Sequence, residues 1–238
     1  MGTGKTYKVI ACAVFFREIC HCAAISKNIL DLTFMSQRLH NLGGDKLRTE
    51  LQKELNRTDP ERYEAIMLGY GLCSNGIAGL KAPVKMIIPK AHDCIAILLG
   101  SRERYNKMFK ENPAIFYSSP GWVERGTVFA GDGEQVSQYE QMVKKYGEEK
   151  AKELVEVMSA YYTNYTDFLH IDTKVCDPDF FREAAREIAK EKGLEYKETD
   201  GTVDYFVKMF NLELDDDFLI VPPNTQVKPS YDYDVIAY

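Results

Sequence analysis

The sequence has no run of about 18 apolar residues, the length a membrane-crossing helix needs, so no spanning helix is expected. It also lacks a basic excess. The formal charge of −6 argues against a nucleic-acid partner, because phosphate binding needs a basic face. The first residues, MGTGKTYK, lack the apolar centre of a signal peptide, which makes a cytoplasmic protein the expectation. No CxxC occurs among the six cysteines, so a zinc-finger knuckle is excluded. In a reducing compartment these cysteines are not expected to form disulfides. Each is then a small buried hydrophobe, a metal ligand or a reactive thiol. Glycine-rich nucleotide motifs are missing too. Gly2 to Thr6 lacks the glycine spacing of a phosphate-binding loop, and GYGLCSNGIAGL (69–80) has Ser74 where a dinucleotide fingerprint needs its third glycine.

What is present is alternation. Short apolar runs at Lys8 to Val14, Ile29 to Met35, Ala65 to Tyr70, Val84 to Ile88 and Ala114 to Ser118 read as strands. Helical patterns separate them. One, DKLRTELQKELNR (45–57), carries leucines four residues apart. Another spans Ile95 to Phe109. A long charged helical stretch runs from Gly133 to Tyr162. Strands at Phe168 to Ile171, Glu195 to Lys197 and Phe218 to Val221 then alternate with helices at Asp179 to Lys192 and Thr202 to Phe210. This order predicts an α/β fold, a mainly parallel sheet with helices on both faces, Rossmann-like. Two lobes are expected: residues 1–130, and residues 131–238 with a helical connector and a smaller α/β lobe.

In open parallel sheets, ligands bind beyond the carboxyl ends of the strands. The residues leaving those ends are Cys12, His40, Cys73, His92, Asp93 and Cys94, followed by SSPGWVE (118–124) and LHIDT (169–173). Sulfur and imidazole suit zinc, or an iron–sulfur cluster drawing on the same thiols. Cys12, His40, Cys73, His92 and Cys94 are therefore the candidate metal ligands. Glu18, Glu124 and Asp172 are the candidate catalytic acids, and Gly71, Trp122 and His170 the candidate cofactor contacts.

Each has a plainer reading. Cys12 suits a core strand, and His40 can bond within its own loop. Asp93 is placed to cap the helix that follows, and Trp122, the single tryptophan, can cover the core. Cys20 and Cys22 point apart on a helix and read as packing, with Cys176 a bystander. Arg102, Glu103 and Arg104 read as an exposed charged face.

The stretches IACAVFFREI (10–19), LHN (39–41), LGYGLCSNGIAGL (68–80), IPKAHDCIAILLGSRERY (88–105), PGWVE (120–124), LHIDT (169–173) and FLIVPP (218–223) occur in the order found in domain-of-unknown-function family 1638 of bacteria and archaea, which the chain resembles over roughly residues 8 to 225. Ala13 stands where that family usually has glycine, Phe16-Arg17 where a proline often precedes the glutamate, and Thr173-Lys174 where Thr-Gly is usual. The resemblance implies Cys12, His40, Cys73, His92 and Cys94 as the family's polar signature. It also implies company with corrinoid-dependent methyltransferase systems, although this chain has no corrinoid-binding DxHxxG stretch.

Two functions follow as expectations. One is a metal-dependent enzyme of one-carbon metabolism, a methyltransferase acting on a small thiol or methyl donor, with a corrinoid protein as a possible partner. The other is a non-catalytic metal-binding accessory protein or metallochaperone.

Overall fold

The computed structural model describes residues 5–40, 43–126, 143–144, 146–154 and 164–238. Four short apolar runs, β1 (Thr6–Cys12), β2 (Ile29–Met35), β3 (Ala65–Gly69) and β4 (Met86–Pro89), lie parallel to one another. Every residue of β3 and β4 is buried, as expected of strands covered on both faces. Three further strands, β5 (Ile115–Ser118), β6 (Asp167–Asp172) and β7 (Glu195–Asp200), form a separate, wholly parallel sheet. The chain then returns: β8 (Phe218–Val221) pairs antiparallel with β4 and completes a five-stranded sheet of order β2-β1-β3-β4-β8. A two-residue pair, β9 (Lys228–Pro229) with β10 (Ile236–Ala237), ends the fold. Strand pairing thus crosses the expected division at residue 130, because β5 joins β6 and β8 rejoins β4.

The helices cover the sheets through their apolar stripes. In α1 (Phe16–Ile25), Ile19 and Cys22 face inward; in α2 (Gly44–Asn56), Leu47, Leu51 and Leu55 do so. Between β4 and β5 the expected single helix is two, α3 (Cys94–Leu99) and α4 (Arg102–Glu111). The cause is local. Gly100 takes a left-handed φ of 74° that ends α3, and the Ser101 hydroxyl accepts from the Arg104 N–H at 3.2 Å to cap α4. Arg102 is not on an exposed face. It is 4% exposed and ties Asp217 and the Tyr233 carbonyl to α4. Among the described residues, α5 (Pro120–Glu124), α6 (Pro178–Glu191) and α7 (Asp204–Asn211) follow. Phe206 of α7 meets Phe15 edge-on at 5.0 Å, closing one side of the main core. The helical stretch expected over 133–162 lies outside the described residues apart from 143–144 and 146–154.

The first strand also ends sooner than the apolar run KVIACAV suggests. After Cys12 the backbone turns into a single 3-10 turn, Ala13–Phe15, whose three side chains are all buried. Burial extends the apolar pattern beyond the strand, so hydrophobicity alone does not mark its end. The turn matters, because it leaves Cys12 as the last residue of a central strand.

Candidate functional site

The strand order of the five-stranded sheet reverses between β1 and β3, and such a reversal opens a crevice at the carboxyl edge. Ala11 is level with Gly69 and Cys12 with Met35, so Tyr70 leaves β3 beside Cys12. Cys12 is 2% exposed. Its sulfur lies 3.7 Å from His40 Nε2, which sits on a 3-10 turn (Gln37–His40) after β2. The His40 ring stacks on Tyr70 with centroids 6.1 Å apart. Burial raises the Cys12 thiol to about 11, against the pull of the Val14 N–H, the Tyr70 hydroxyl, the Ala13 N–H and the Arg125 charge. Burial also lowers the His40 pKa.

Cys73 arrives from the loop after β3. It opens three successive non-glycine residues with left-handed φ, at 47°, 53° and 63° for Cys73, Ser74 and Asn75. Such a run is costly and persists only where the surroundings hold it. Here two backbone bonds hold it, Leu72 N–H to the Ala91 carbonyl and Cys73 N–H to the His92 carbonyl, each 2.8 Å. Gly71 makes that seam possible, since a Cβ there would come within 2.7 Å of the Ala91 oxygen. The glycine expected to contact a cofactor therefore packs two loops together.

Cys94 begins α3. Asp93 caps that helix, accepting from Ile95 and Ala96 at 3.0 and 3.2 Å, and its other oxygen accepts from the Tyr105 hydroxyl at 2.9 Å. Burial raises the Cys73 thiol, and the Asp93 and Cys12 charges add to it; Cys94 is raised by burial and then by Asp93, Cys73 and Cys12. The three thiols thus share one neighbourhood and oppose one another's ionisation. Trp122 acts the other way on Cys94, drawing its pKa down.

The remaining candidates fall elsewhere. His92 is exposed, with its ring against Tyr105 at 6.1 Å. Glu18 is fully buried on the inner side of α1; its Oε1 accepts from the Thr173 hydroxyl at 2.8 Å, and burial raises its pKa. Glu124 is clamped by Arg17 through bonds of 3.1 and 2.9 Å. Asp172 is held by Lys174 and Arg182; burial pushes its pKa up, but those partners leave it below the ordinary value. It lines a cavity of about 190 Å³ with Lys174, Arg182, Glu198, Thr199 and Asp200. His170 is 1% exposed and burial lowers its pKa to about 4. Among the described residues, no group of three His, Cys, Asp or Glu side chains stands close enough to hold a metal ion in this arrangement.

Several buried polar atoms on or beside both sheets and on α1 and α5 have no partner. The Tyr70 and Tyr117 hydroxyls, Trp122 Nε1, the Ser118 and Ser119 hydroxyls, His170 Nδ1 and Glu18 Oε2 are all buried with no hydrogen bond. Buried polar groups of this kind cost free energy unless something satisfies them. Tyr70 and Tyr117 were not apparent as site residues from the sequence. Tyr70 had a signal, its place between Gly69 and Gly71 directly before Cys73; Tyr117 had none.

A family model described as "Protein of unknown function (DUF1638)" matches residues 34–210. The chain belongs to that family. The DUF1638 match takes in Cys73, Cys94 and Trp122, while Cys12 and Glu18 precede it. No curated protein and no solved structure matches the chain.

Proposed function

We propose that this DUF1638 protein is a metal-binding enzyme of one-carbon metabolism, with zinc held by Cys12, Cys73 and Cys94 and completed by His40. His92, on the same loop as Cys94, is the other candidate for the imidazole position. The observation that carries the reading is the gathering of buried Cys12 at the end of β1, buried Cys73 after β3 and half-buried Cys94 after β4, with Asp93 beside them, at the reversal of strand order. A cluster of acids in want of positive charge suits a soft cation, and three thiolates with an imidazole are a donor set zinc favours. The thiols must draw closer to reach ligand distances.

Zinc bound there would supply Lewis acidity that keeps a small substrate thiol in its nucleophilic form once that thiol takes the place of one of the four protein ligands, the chemistry a methyl acceptor needs. The chain's own residues contribute burial, through Tyr70 and Trp122, and an imidazole, His40, beside Cys12. The Rossmann-like reading and the two-lobed reading both belong to this proposal: the five-stranded sheet supplies the thiols and the three-stranded sheet supplies Trp122. A corrinoid protein is the proposed partner and a small thiol or methyl donor the proposed substrate, in a cytoplasmic setting. The exposed His92 favours a second reading, an accessory protein that passes metal on, since handover needs a reachable ligand.

Anaerobic purification followed by metal analysis and an absorption spectrum tests the assignment. Zinc near one equivalent, lost in Cys73→Ser and Cys94→Ser, supports it. A broad band near roughly 400 nm replaces zinc by an iron–sulfur cluster. Absence of any bound or bindable metal overturns the proposal.

A further inference from the structure

We infer that the outer edge of β2 is a dimer interface, paired antiparallel with the same edge of a second copy of this chain. The two-fold axis passes Leu32, and two five-stranded sheets become one. The inference is independent of the metal reading, because it concerns the side of the sheet and not its crevice.

The strands at the sides of the two larger sheets are β2, β8, β5 and β7. β8 and β5 are four residues long, and β7, EYKETD, is mostly charged. Short length and charge are the usual protections of a sheet edge against pairing. β2 has neither. It runs seven residues, ILDLTFM, with one charge, and that charge, Asp31, is already engaged by the Arg62 guanidinium and the Tyr63 hydroxyl. None of its residues is buried, whereas all of β3 is. A stable dimer buries about 1,200–2,000 Å², more than one strand supplies. Apolar surface continues onto α1: Phe16, 40% exposed, packs on Phe34 at 5.0 Å, and Ile25, at the helix end, is 62% exposed.

The backbone selects the register. The Ile29 N–H donates to the Lys5 carbonyl, so alternation turns the N–H and C=O of Ile29, Asp31, Thr33 and Met35 toward β1 and those of Leu30, Leu32 and Phe34 outward. Among the described residues, no other backbone group bonds these outward groups. An axis at Leu32 sets Leu32 against Leu32 of the second copy, and Leu30 against its Phe34. Both are pairs of outward residues, so every outward N–H finds a carbonyl. On the other face of the strand Ile29 meets Met35 and Asp31 meets Thr33, and no charge meets a like charge. An axis at Asp31 would oppose two carboxylates, and one at Thr33 would carry Leu30 past the end of the strand. The edge is self-complementary in one register, as a two-fold interface requires.

Sedimentation velocity over a range of concentrations reads the association. The unsubstituted chain should form a dimer and nothing larger, since a two-fold pairing consumes the edge it uses. Thr33→Asp puts a carboxylate against Asp31 of the second copy at two symmetric places and should weaken the dimer about fivefold or more. Thr33→Lys puts a cation there and should keep it. A second measurement decides the matter if Thr33→Asp fails to fold. Leu32→Cys, oxidised, should give a covalent dimer linked through position 32 of both copies, identified by mass after digestion. Lys197→Cys, on the charged edge β7, should give no such link. An unsubstituted chain that stays monomeric at the highest concentration reached overturns the inference. So does a dimer indifferent to a folded Thr33→Asp, or a link at position 197 with none at position 32.

Discussion

Cys73 and His92 are joined main chain to main chain, the amide of one donating to the carbonyl of the other at 2.8 Å. This bond, with its neighbour from Leu72 to Ala91, sews the loop after β3 to the loop after β4. Two of the three clustered thiols therefore sit on either side of a single seam.

Gly71→Ala should open that seam. The new methyl group would meet backbone atoms of Ala91 and Asp93 at 2.7–2.9 Å, and backbone cannot swing aside as a side chain can. A loss of about 1–3 kcal/mol is expected. Urea unfolding reads the stability, and metal content read in parallel should fall with it. Unchanged values for both would mean that the loops are less tightly sewn than described.

Serine at Cys12, Cys73 or Cys94 should each lower metal affinity by several kcal/mol, as loss of one ligand from a site worth about 10–16 kcal/mol implies. Serine at Cys20, Cys22 or Cys176 should leave it unchanged. Metal analysis of the six variants decides, and a uniform result would return all six cysteines to packing roles.

His170 should make the protein acid-sensitive. Its folded-state pKa of about 4 lies below the ordinary 6.5, so the unfolded chain binds the proton more readily. The effect is absent above pH 6.5, and stability falls as pH drops from there to about 4. The full span is worth roughly 3 kcal/mol at about 1.4 kcal/mol for each pKa unit. Urea midpoints taken at pH 7 and pH 4.5 should converge in His170→Gln. A variant that keeps the parent's slope over this interval would place the titration on another group.

Asp172→Asn should cost about 2 kcal/mol, because it weakens the bonds from Lys174 and Arg182 to a carboxylate that is 4% exposed. Metal content should not change, since Asp172 is engaged on the three-stranded sheet away from the thiols. Thermal melts and metal analysis separate the two effects. Loss of metal in this variant would put Asp172 in the metal site after all.

Much of this was legible in the residues themselves. The apolar runs mark the strands, and a cysteine late in the first run and in the turns after two others marks the edge where they meet. Asp93 is a capping residue by type and place, and it caps. The failures have physical causes. Gly100-Ser101 is a stop followed by a start, and the helical pattern on both sides hides the break. Arg102 is charged, yet buried, because Asp217 and a carbonyl distant in sequence receive it. His92 and Cys94, two residues apart, diverge because the turn ends in a capped helix that fixes the direction of each. Strand pairing was the least legible: nothing in FLIV says that it lies beside MIIP and not beside the nearer β7.

That pairing has a consequence for how the chain is made. β4 is buried throughout, and one of its two edges is completed only by β8, which leaves the ribosome about 130 residues later, after the entire three-stranded sheet. Through that interval the nascent protein carries an apolar strand with an open row of hydrogen-bonding groups, a template for pairing with another chain. Synthesis stalled or cut short before Phe218 should yield a species that aggregates through β4, and the last strand then acts as the stopper that ends the exposure.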